Sequence, residues 1–281
     1  MKDNSAFLIE KEPKYIDTQN EKEIFEAAWN NRVPLMLKGP TGSGKTRFIE
    51  HMAWQLKQPL ITVSCHEDMT ASDLVGRFLL EGTETVWKDG PLTRAVRYGG
   101  ICYLDEIVEA RQDTTVVIHS LTDDRRILPI EKTGEIVKAH ENFFLVISYN
   151  PGYQSVLKDL KESTKQRFAG IDFDYPNENV EKQIIILESG VSEDIAKKLI
   201  KVSERTRNLK GKGLHEGAST RMLIAAAKLY NSKISFIESC LKSIVLPITD
   251  DKDVRDSLER AIRDLGKTNC NNKMLKMYIN L

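Results

Sequence analysis

Residues 39–46 read GPTGSGKT, and no other stretch restricts the possible folds of this chain as tightly. The octapeptide fits G-x-x-x-x-G-K-[ST]. Before it, VPLMLKG is a short apolar run that reads as a buried strand entering a glycine-rich turn. After it, TRFIEHMAWQL places Phe48, Ile49, Met52, Ala53 and Leu56 on one helical stripe. Strand, glycine turn and helix, in that order, form the setting in which this motif holds phosphate. Glycines let backbone N–H groups converge on phosphate oxygens without Cβ collisions. The helix that follows aims its positive dipole end at the same anion. Gly39, Pro40, Thr41, Gly42, Ser43, Gly44, Lys45 and Thr46 are therefore the expected binding loop. The Lys45 ammonium is expected on the β and γ phosphates and the Thr46 hydroxyl on Mg²⁺, which makes ATP with Mg²⁺ the expected ligand.

Such a loop needs an acid from a second strand. ICYLDEI at 101–107 runs four mostly apolar residues into two adjacent carboxylates. A buried unpaired charge is costly, so the acids call for a partner. Asp105 is placed to hold Mg²⁺, usually through water. Glu106, one residue on, points elsewhere and suits the general base that polarises an attacking water. A nucleoside kinase would not need it, because its substrate supplies the nucleophile. VISYNP ends a further strand with Asn150, an amide able to hold the same water or the γ-phosphate. Standing alone, Asn150 would be an ordinary Asn-Pro turn opener.

Strands alternate with helices through the first part of the chain. EKEIFEAAWNN (21–31) is helical in pattern, and PLITVSC, ICYL and FFLVISYN (143–150) join VPLMLKG as strands. This argues for an α/β fold with a parallel sheet covered on both faces. RFLLEGTETVWKDG (77–90) and ILPIEKTGEIVKAH (127–140) interrupt the alternation as two inserted β-hairpins closed by glycine turns. After DFDYP the character changes: 178–206, 217–231, 233–245 and 251–264 all read as helices. SEDIAKKLIKVSERT shows a serine N-cap, Ser192, with acids in its first turn. The expected division is an α/β core domain over 1–176 and a small all-helical domain over 177–281.

Composition narrows the function classes. The 281 residues carry 41 basic and 41 acidic side chains. That zero balance, with no basic-aromatic run, argues against nucleic acid as the main partner. Residues 181–281 hold 19 Lys+Arg against 13 Asp+Glu, leaving 22 against 28 for 1–180. Ordinary surface scatter is the favoured account of that split, ahead of complementary faces in a self-assembly. No apolar run reaches membrane-spanning length. The N-terminus lacks a basic-then-apolar signal pattern, so a cytoplasmic protein is expected. Cys65, Cys102, Cys240 and Cys270 show no metal-ligand spacing and are expected as reduced thiols. His66 is expected as a loop residue, His119 as a satisfied buried or interface histidine, and Trp87 as ordinary hairpin packing.

Two arginines complete the candidate constellation. Arg167 stands in STKQRFAGIDF just before an apolar strand, and Arg221 in the first turn of the helix in GASTRMLIAAAKL. Either is an ordinary surface residue or a guanidinium for the γ-phosphate, where one is worth orders of magnitude in rate.

GPTGSGKT, CYLDEI, SYNP, the QRF segment and STR follow the order of an AAA+ ATPase, which the chain resembles. The two insertions resemble those of the helix-2-insert and pre-sensor-1-hairpin group, to which MoxR proteins belong. HEDMTASDLVGRFLL, DGPLTRAVRYGG, LDEIVEARQDTTVVIHSLTDDRR and VLKDLKESTKQRF look like its CbbQ/NorQ/NirQ/GvpN branch. The likeness extends through IVLPITDDKDVRDSL and so spans nearly the whole chain.

The resemblance implies an αβα sandwich with a helical lid domain. It makes Lys45 and Thr46 the Walker A residues, Asp105 and Glu106 Walker B, Asn150 sensor 1, Arg167 the arginine finger and Arg221 the sensor-2 arginine. Lys165, Arg125 and Arg126 compete with Arg167 for the contact to a neighbouring subunit. It further implies a homo-hexameric ring acting with a von Willebrand A domain adaptor. That machine would remodel or activate a client metabolic enzyme such as nitric oxide reductase or Rubisco. The alternative is a nucleotide-gated binding module or a GvpN-like gas-vesicle assembly factor in which hydrolysis only resets binding.

Overall fold

The structure, a computed structural model, describes residues 4–151 and 160–278. Most of the VLKDL stretch quoted above lies outside the described residues. In chain order the first part comprises α1 (Glu21–Asn31), β1 (Leu35–Lys38), α2 (Lys45–Gln55), β2 (Leu60–Ser64), α3 (Ala71–Val75), β3 (Gly76–Glu81), β4 (Glu84–Asp89), α4 (Pro91–Tyr98) and β5 (Gly100–Asp105). Then follow α5 (Gln112–Val116), β6 (Ile127–Ile130), β7 (Glu135–Lys138), β8 (Phe143–Tyr149), α6 (Glu162–Lys165) and β9 (Ala169–Asp172). The helical part holds α7 (Glu178–Ser189), α8 (Glu193–Arg207), α9 (Thr220–Asn231), α10 (Phe236–Cys240), α11 (Leu246–Ile248) and α12 (Lys252–Tyr278).

Five strands form one parallel sheet in the order β2-β5-β8-β1-β9. Their near-continuous apolar sequences follow from burial on both faces. Alternate residues divide between two cores. Met36, Cys102, Leu104, Leu145 and Ile147 share one core with Leu92, Ala95 and Val96 of α4. Leu35, Leu37, Ile101, Tyr103, Phe144 and Val146 share the other with Phe25 of α1 and Phe48, Ile49 and Met52 of α2. Phe25 meets Phe48 and Phe144 edge-on at 5.6 and 5.3 Å. Each such large apolar side chain contributes about 1.5–3 kcal/mol by leaving water. This core is what holds β1 and α2 rigidly on either side of the loop between them.

The two insertions are antiparallel ribbons, β3 with β4 and β6 with β7, turning at Gly82 and Gly134 with φ of 64° and 69°. Trp87 packs on Phe78 with ring centroids 5.2 Å apart and donates Nε1–H to Asp89.

Residues up to Pro40 together with Gly44–Asp174 make one compact unit. The second comprises the chain from Tyr175 onward with Thr41–Ser43. Its core gathers Ile185, Leu199, Leu223, Cys240 and Ile262 from five of the helices. Two local expectations are refined. Ser192 stands at the N-cap of α8 with extended backbone, yet its side chain makes no cap bond; Glu193 and Asp194 supply the first-turn acids. The expected helix over 233–245 starts at Phe236 and passes into a π-helical turn, Leu241–Val245, before Pro247.

Candidate functional site

Parallel register brings four strand ends nearly level. Lys38 pairs with Tyr149, Leu104 with Ile147, and Ser64 with Asp105. Gly39, Asp105 and Asn150 therefore emerge at the same edge of the sheet, and Gly39 N–H donates to the Tyr149 carbonyl at 3.3 Å. Gly39 has φ 148°, and a Cβ there would lie 2.1 Å from the Phe173 carbonyl oxygen, so only glycine fits. Gly42 and Gly44 also have positive φ, 75° and 101°. Lys45 begins α2 and is buried. Its ammonium donates to the carbonyls of Gly39 at 2.6 Å and Pro40 at 3.1 Å, which closes the loop around its own lysine.

Asp105 and Glu106 separate as expected. Asp105 follows the parity of Tyr103 and is partly buried, whereas Glu106 is exposed and adopts φ 54°, a left-handed conformation uncommon outside glycine. Two hydroxyls that sequence reasoning missed hold the Asp105 carboxylate. Tyr103 Oη donates to Oδ1 at 2.7 Å, and Ser148 Oγ makes a short hydrogen bond to the same oxygen. Ser148 also accepts the Glu106 N–H at 3.2 Å, so one serine ties down both acids. Burial, then the Asp105 charge, raises the Tyr103 hydroxyl well above the usual phenol range, while the Ser148 and Thr46 hydroxyls pull the other way. Thr46, Tyr103, Ser148 and Asp105 thus form one polar group under the loop. Burial, then the charges of Asp105 and Glu106, pushes the neighbouring Cys65 thiol up to about 12, so it stays protonated.

A signal for both hydroxyls was present. Ser148 interrupts a strand whose seven residues are all buried, and a buried hydroxyl requires a partner. Tyr103 lies two residues before Asp105 in a strand, hence on the same face.

No group of three or more His, Cys, Asp or Glu side chains capable of holding a metal occurs among the described residues. A Mg²⁺ ion fits nevertheless. It takes one or two protein oxygens plus substrate phosphates and water. Thr46 and the oriented Asp105 carboxylate supply that set.

Arg167 sits elsewhere on this unit. Ala169 pairs with Leu35, so Arg167 lies before the first residue of the strands while Gly39 lies after the last. Four residues of strand register separate the Ala169 level from Gly39, about 13 Å at strand rise, and Arg167 lies in the turn before Ala169. Its guanidinium donates to the His119 carbonyl at 3.3 Å and lies 3.6 Å from Asp123. His119 Nε2 bonds with Thr164 Oγ1 at 2.9 Å, as a satisfied histidine should. Arg125 is exposed and fastened to Asp123. Arg126 donates to the Phe143 carbonyl at 2.9 Å, and Lys165 pairs with Glu162 at 3.1 Å.

In the helical unit Arg221 follows Thr220, the first residue of α9, and is exposed. A Cβ at Gly42 would come 2.7 Å from Ser219 Cβ and 3.5 Å from Arg221 Cβ, so the start of α9 lies against Thr41–Ser43.

Similarities to known proteins fall in both units. Residues 34–168 match the family model described as AAA domain (dynein-related subfamily), and 181–265 match CbbQ/NirQ/NorQ C-terminal. Protein CbbQ of Hydrogenophilus thermoluteolus is 60% identical over 93% of this chain and 98% of its own length. Protein NorQ of Paracoccus denitrificans is 53% identical over 90% of this chain and 93% of its own length. Denitrification regulatory protein NirQ of Pseudomonas aeruginosa is 53% identical over 85% of this chain and 92% of its own length. A crystal structure of NtrX from Brucella abortus superimposes with a TM-score of 0.52 at 18% identity, over 76% of this chain and 50% of that one, a likeness of fold alone.

Proposed function

The chain belongs to the CbbQ/NirQ/NorQ family of AAA-domain proteins, and on that premise we propose that it hydrolyses ATP within a ring of identical subunits, a hexamer, to remodel or activate a metabolic enzyme. Lys45 leaves the Gly39 and Pro40 carbonyls to meet the β and γ phosphates, and the glycine loop presents its N–H groups to them. Thr46 and Asp105 would hold Mg²⁺, which would supply positive charge to the phosphate oxygens. Glu106 takes the proton of the attacking water, and Asn150 holds that water in line. Arg221 addresses the γ-phosphate of its own subunit.

The observation that carries the ring reading is the position of Arg167. Arg167 stands in the turn before Ala169, and the four residues of strand register from that level to Gly39, about 13 Å, exceed the reach of its side chain. Among the neighbouring candidates Arg126 is bonded to backbone. Among the described residues Arg167 is held at the partly exposed Asp123 and the His119 carbonyl, contacts that a neighbour's γ-phosphate can replace. Removing it should cut rate far more than affinity, because it acts on transition-state charge.

The hairpins support a partner-docking role: Phe78, Leu79 and Leu80 on β3 and Ile136 on β7 are exposed apolar side chains. We assign these ribbons to a von Willebrand A domain adaptor or to the client itself, of which nitric oxide reductase and Rubisco are the leading classes. Buried free thiols at Cys65, Cys102 and Cys240 suit a reducing compartment such as the cytoplasm.

The test is complementation. Glu106→Gln and Arg167→Ala, each nearly inactive alone, should regain part of the ATPase when co-assembled. Some interfaces then pair an intact Glu106 with an intact Arg167. No recovery in verified mixed rings removes Arg167 from the neighbour's site, and ATPase that is independent of concentration down to the monomer removes the ring.

A further inference from the structure

Glu181, in the first turn of α7, is only 1% exposed. An isolated carboxylate in such a place is costly, so its partners show what it is for. Arg207 at the end of α8 grips it with both ends of the guanidinium, Nη1 to Oε2 at 2.9 Å and Nη2 to Oε1 at 2.6 Å. Thr220 Oγ1 donates to Oε1 at 2.6 Å. The remaining edge of the guanidinium, Nε, donates to the Ala218 carbonyl at 3.0 Å, and Ala218 N–H donates to Thr206 Oγ1 at 2.9 Å. Tyr175 lies 4.1 Å from Arg207 Cζ by its ring centroid, and its hydroxyl donates to the Thr41 carbonyl at 3.5 Å. Gly217 presses so closely on Arg207 that a Cβ there would meet its Cα and Cγ at 2.6 Å.

These contacts converge on residues 217–220, the segment that enters α9. Ser219 is the N-cap of α9 and accepts the Met222 N–H; Thr220 is its first residue, and Arg221 comes next. Buried ion pairs add little net stability compared with apolar packing of the same volume. A bidentate, planar pair does fix direction, because the guanidinium fork admits only one orientation of its partner. This pair fixes the start of the helix that stands against Thr41–Ser43.

We infer that Glu181, Arg207 and Thr220 are positioning residues that set the register and rotation of α9 so that Arg221 meets the γ-phosphate of a nucleotide in the loop. The inference rests on the assignment of Arg221 to the γ-phosphate made above. A cluster serving only to hold the helices together would act on ATP and ADP alike. One that acts through Arg221 changes the discrimination between them.

The experiment uses the full chain and fluorescent ATP and ADP analogues in equilibrium titrations, with thermal unfolding as the control. Thr220→Val keeps the β-branched shape and removes one bond to Glu181; Arg207→Lys keeps the charge and removes the fork. Each should unfold within a few degrees of the parent and lower the preference for ATP over ADP by about threefold to tenfold, somewhat less than one full hydrogen bond to a charged group because the effect reaches the nucleotide through Arg221. In an Arg221→Ala background the same substitutions should change that preference no further. Additive losses in the double variants, or an unchanged preference in both single variants, overturn the positioning role. If Arg221→Ala alone leaves the preference intact, the assignment of Arg221 fails first and the inference with it. Glu181→Gln is a third variant, and Thr220→Val decides the matter should Glu181→Gln not fold.

Discussion

Replacing Tyr103 by phenylalanine removes one hydroxyl beneath the glycine loop. The ring stays in the core that holds Phe48, Phe144 and Val146, so packing is conserved. What disappears is chiefly the 2.7 Å bond from Oη to Asp105 Oδ1, together with the contacts of Oη to the Ser148 and Thr46 hydroxyls. A hydrogen bond to a charged acceptor contributes about 1.5–3 kcal/mol. Oδ1 keeps its bond from Ser148, so the loss belongs at the lower end, about 1.5 kcal/mol, close to tenfold in an equilibrium constant. Two measurements read it. Urea unfolding of the ligand-free protein should show a lower midpoint with an unchanged slope. Nucleotide titrations at graded Mg²⁺ should require severalfold more Mg²⁺ to reach the same affinity, while affinity in EDTA is unaltered. Ser148→Ala should cost more, because it also leaves the Glu106 N–H without its acceptor. An unchanged Mg²⁺ requirement in both variants would refute the idea that these hydroxyls hold the metal-binding acid in place. An equal loss of affinity in EDTA would refute it as well, by locating the effect in the loop.

Other outcomes follow from the same geometry. Glu106→Gln should bind ATP and barely turn it over, whereas Asp105→Ala should weaken Mg²⁺-dependent binding; equal loss of binding in both ends the division of labour between the acids. Glu106→Gly should be just as inactive and yet more stable than Glu106→Gln by up to about 1 kcal/mol in urea unfolding, because glycine takes the left-handed φ without the Cβ penalty. Shortening either hairpin tip, at Gly82 or Gly134, should spare nucleotide binding and reduce client activation; a normal client response would make that ribbon dispensable. Burial, then the charges of Arg167 and Lys161, holds His119 below its ordinary value. Its contribution to stability is therefore complete above about pH 6.5 and is lost as the pH falls from there toward the lowered value. Thermal midpoints between pH 7.5 and 5.5 should drop less in His119→Gln than in the parent.

The glycine loop between strand and helix was legible because its constraints are local: GPTGSGKT, the strand before it and the helix after it are contiguous, and each glycine answers a backbone demand. Asp105 and Glu106 were legible because charge at the end of ICYL contradicts the strand around it. The ribbons announced themselves through glycine turns between β-rich arms. The partners of those features were harder to see. Ser148 lies 43 residues from Asp105, and Arg207 lies 26 from Glu181; a sequence shows that a buried polar group needs a partner and leaves open which strand or helix delivers it. Helix α4 was overlooked although Pro91 at its start and Gly99 at its end bracket it, because its eight residues carry a single apolar face too short to stand out as a period. The π-helical turn at Leu241–Val245 depends on how α9, α10 and α12 pack around Ile244 and Val245, information no local pattern holds.

The split between the two acids is itself a backbone property. Strand parity sends Tyr103 and Asp105 to the face that carries α2, which brings the carboxylate under Thr46. Had the strand continued, Glu106 would have pointed into the opposite core, among Leu104 and Ile107, where an ionised carboxylate has no partner. The left-handed turn at Glu106 ends the strand at that residue and turns the side chain out to solvent, where it can meet water. Ser148 accepts the N–H that this turn would otherwise strand, so the serine stabilises the conformation that gives the second acid a task different from the first. Strain at one residue, compensated by one hydroxyl from the neighbouring strand, is thus enough to give two adjacent carboxylates different surroundings, one bonded beneath the glycine loop and one turned to solvent.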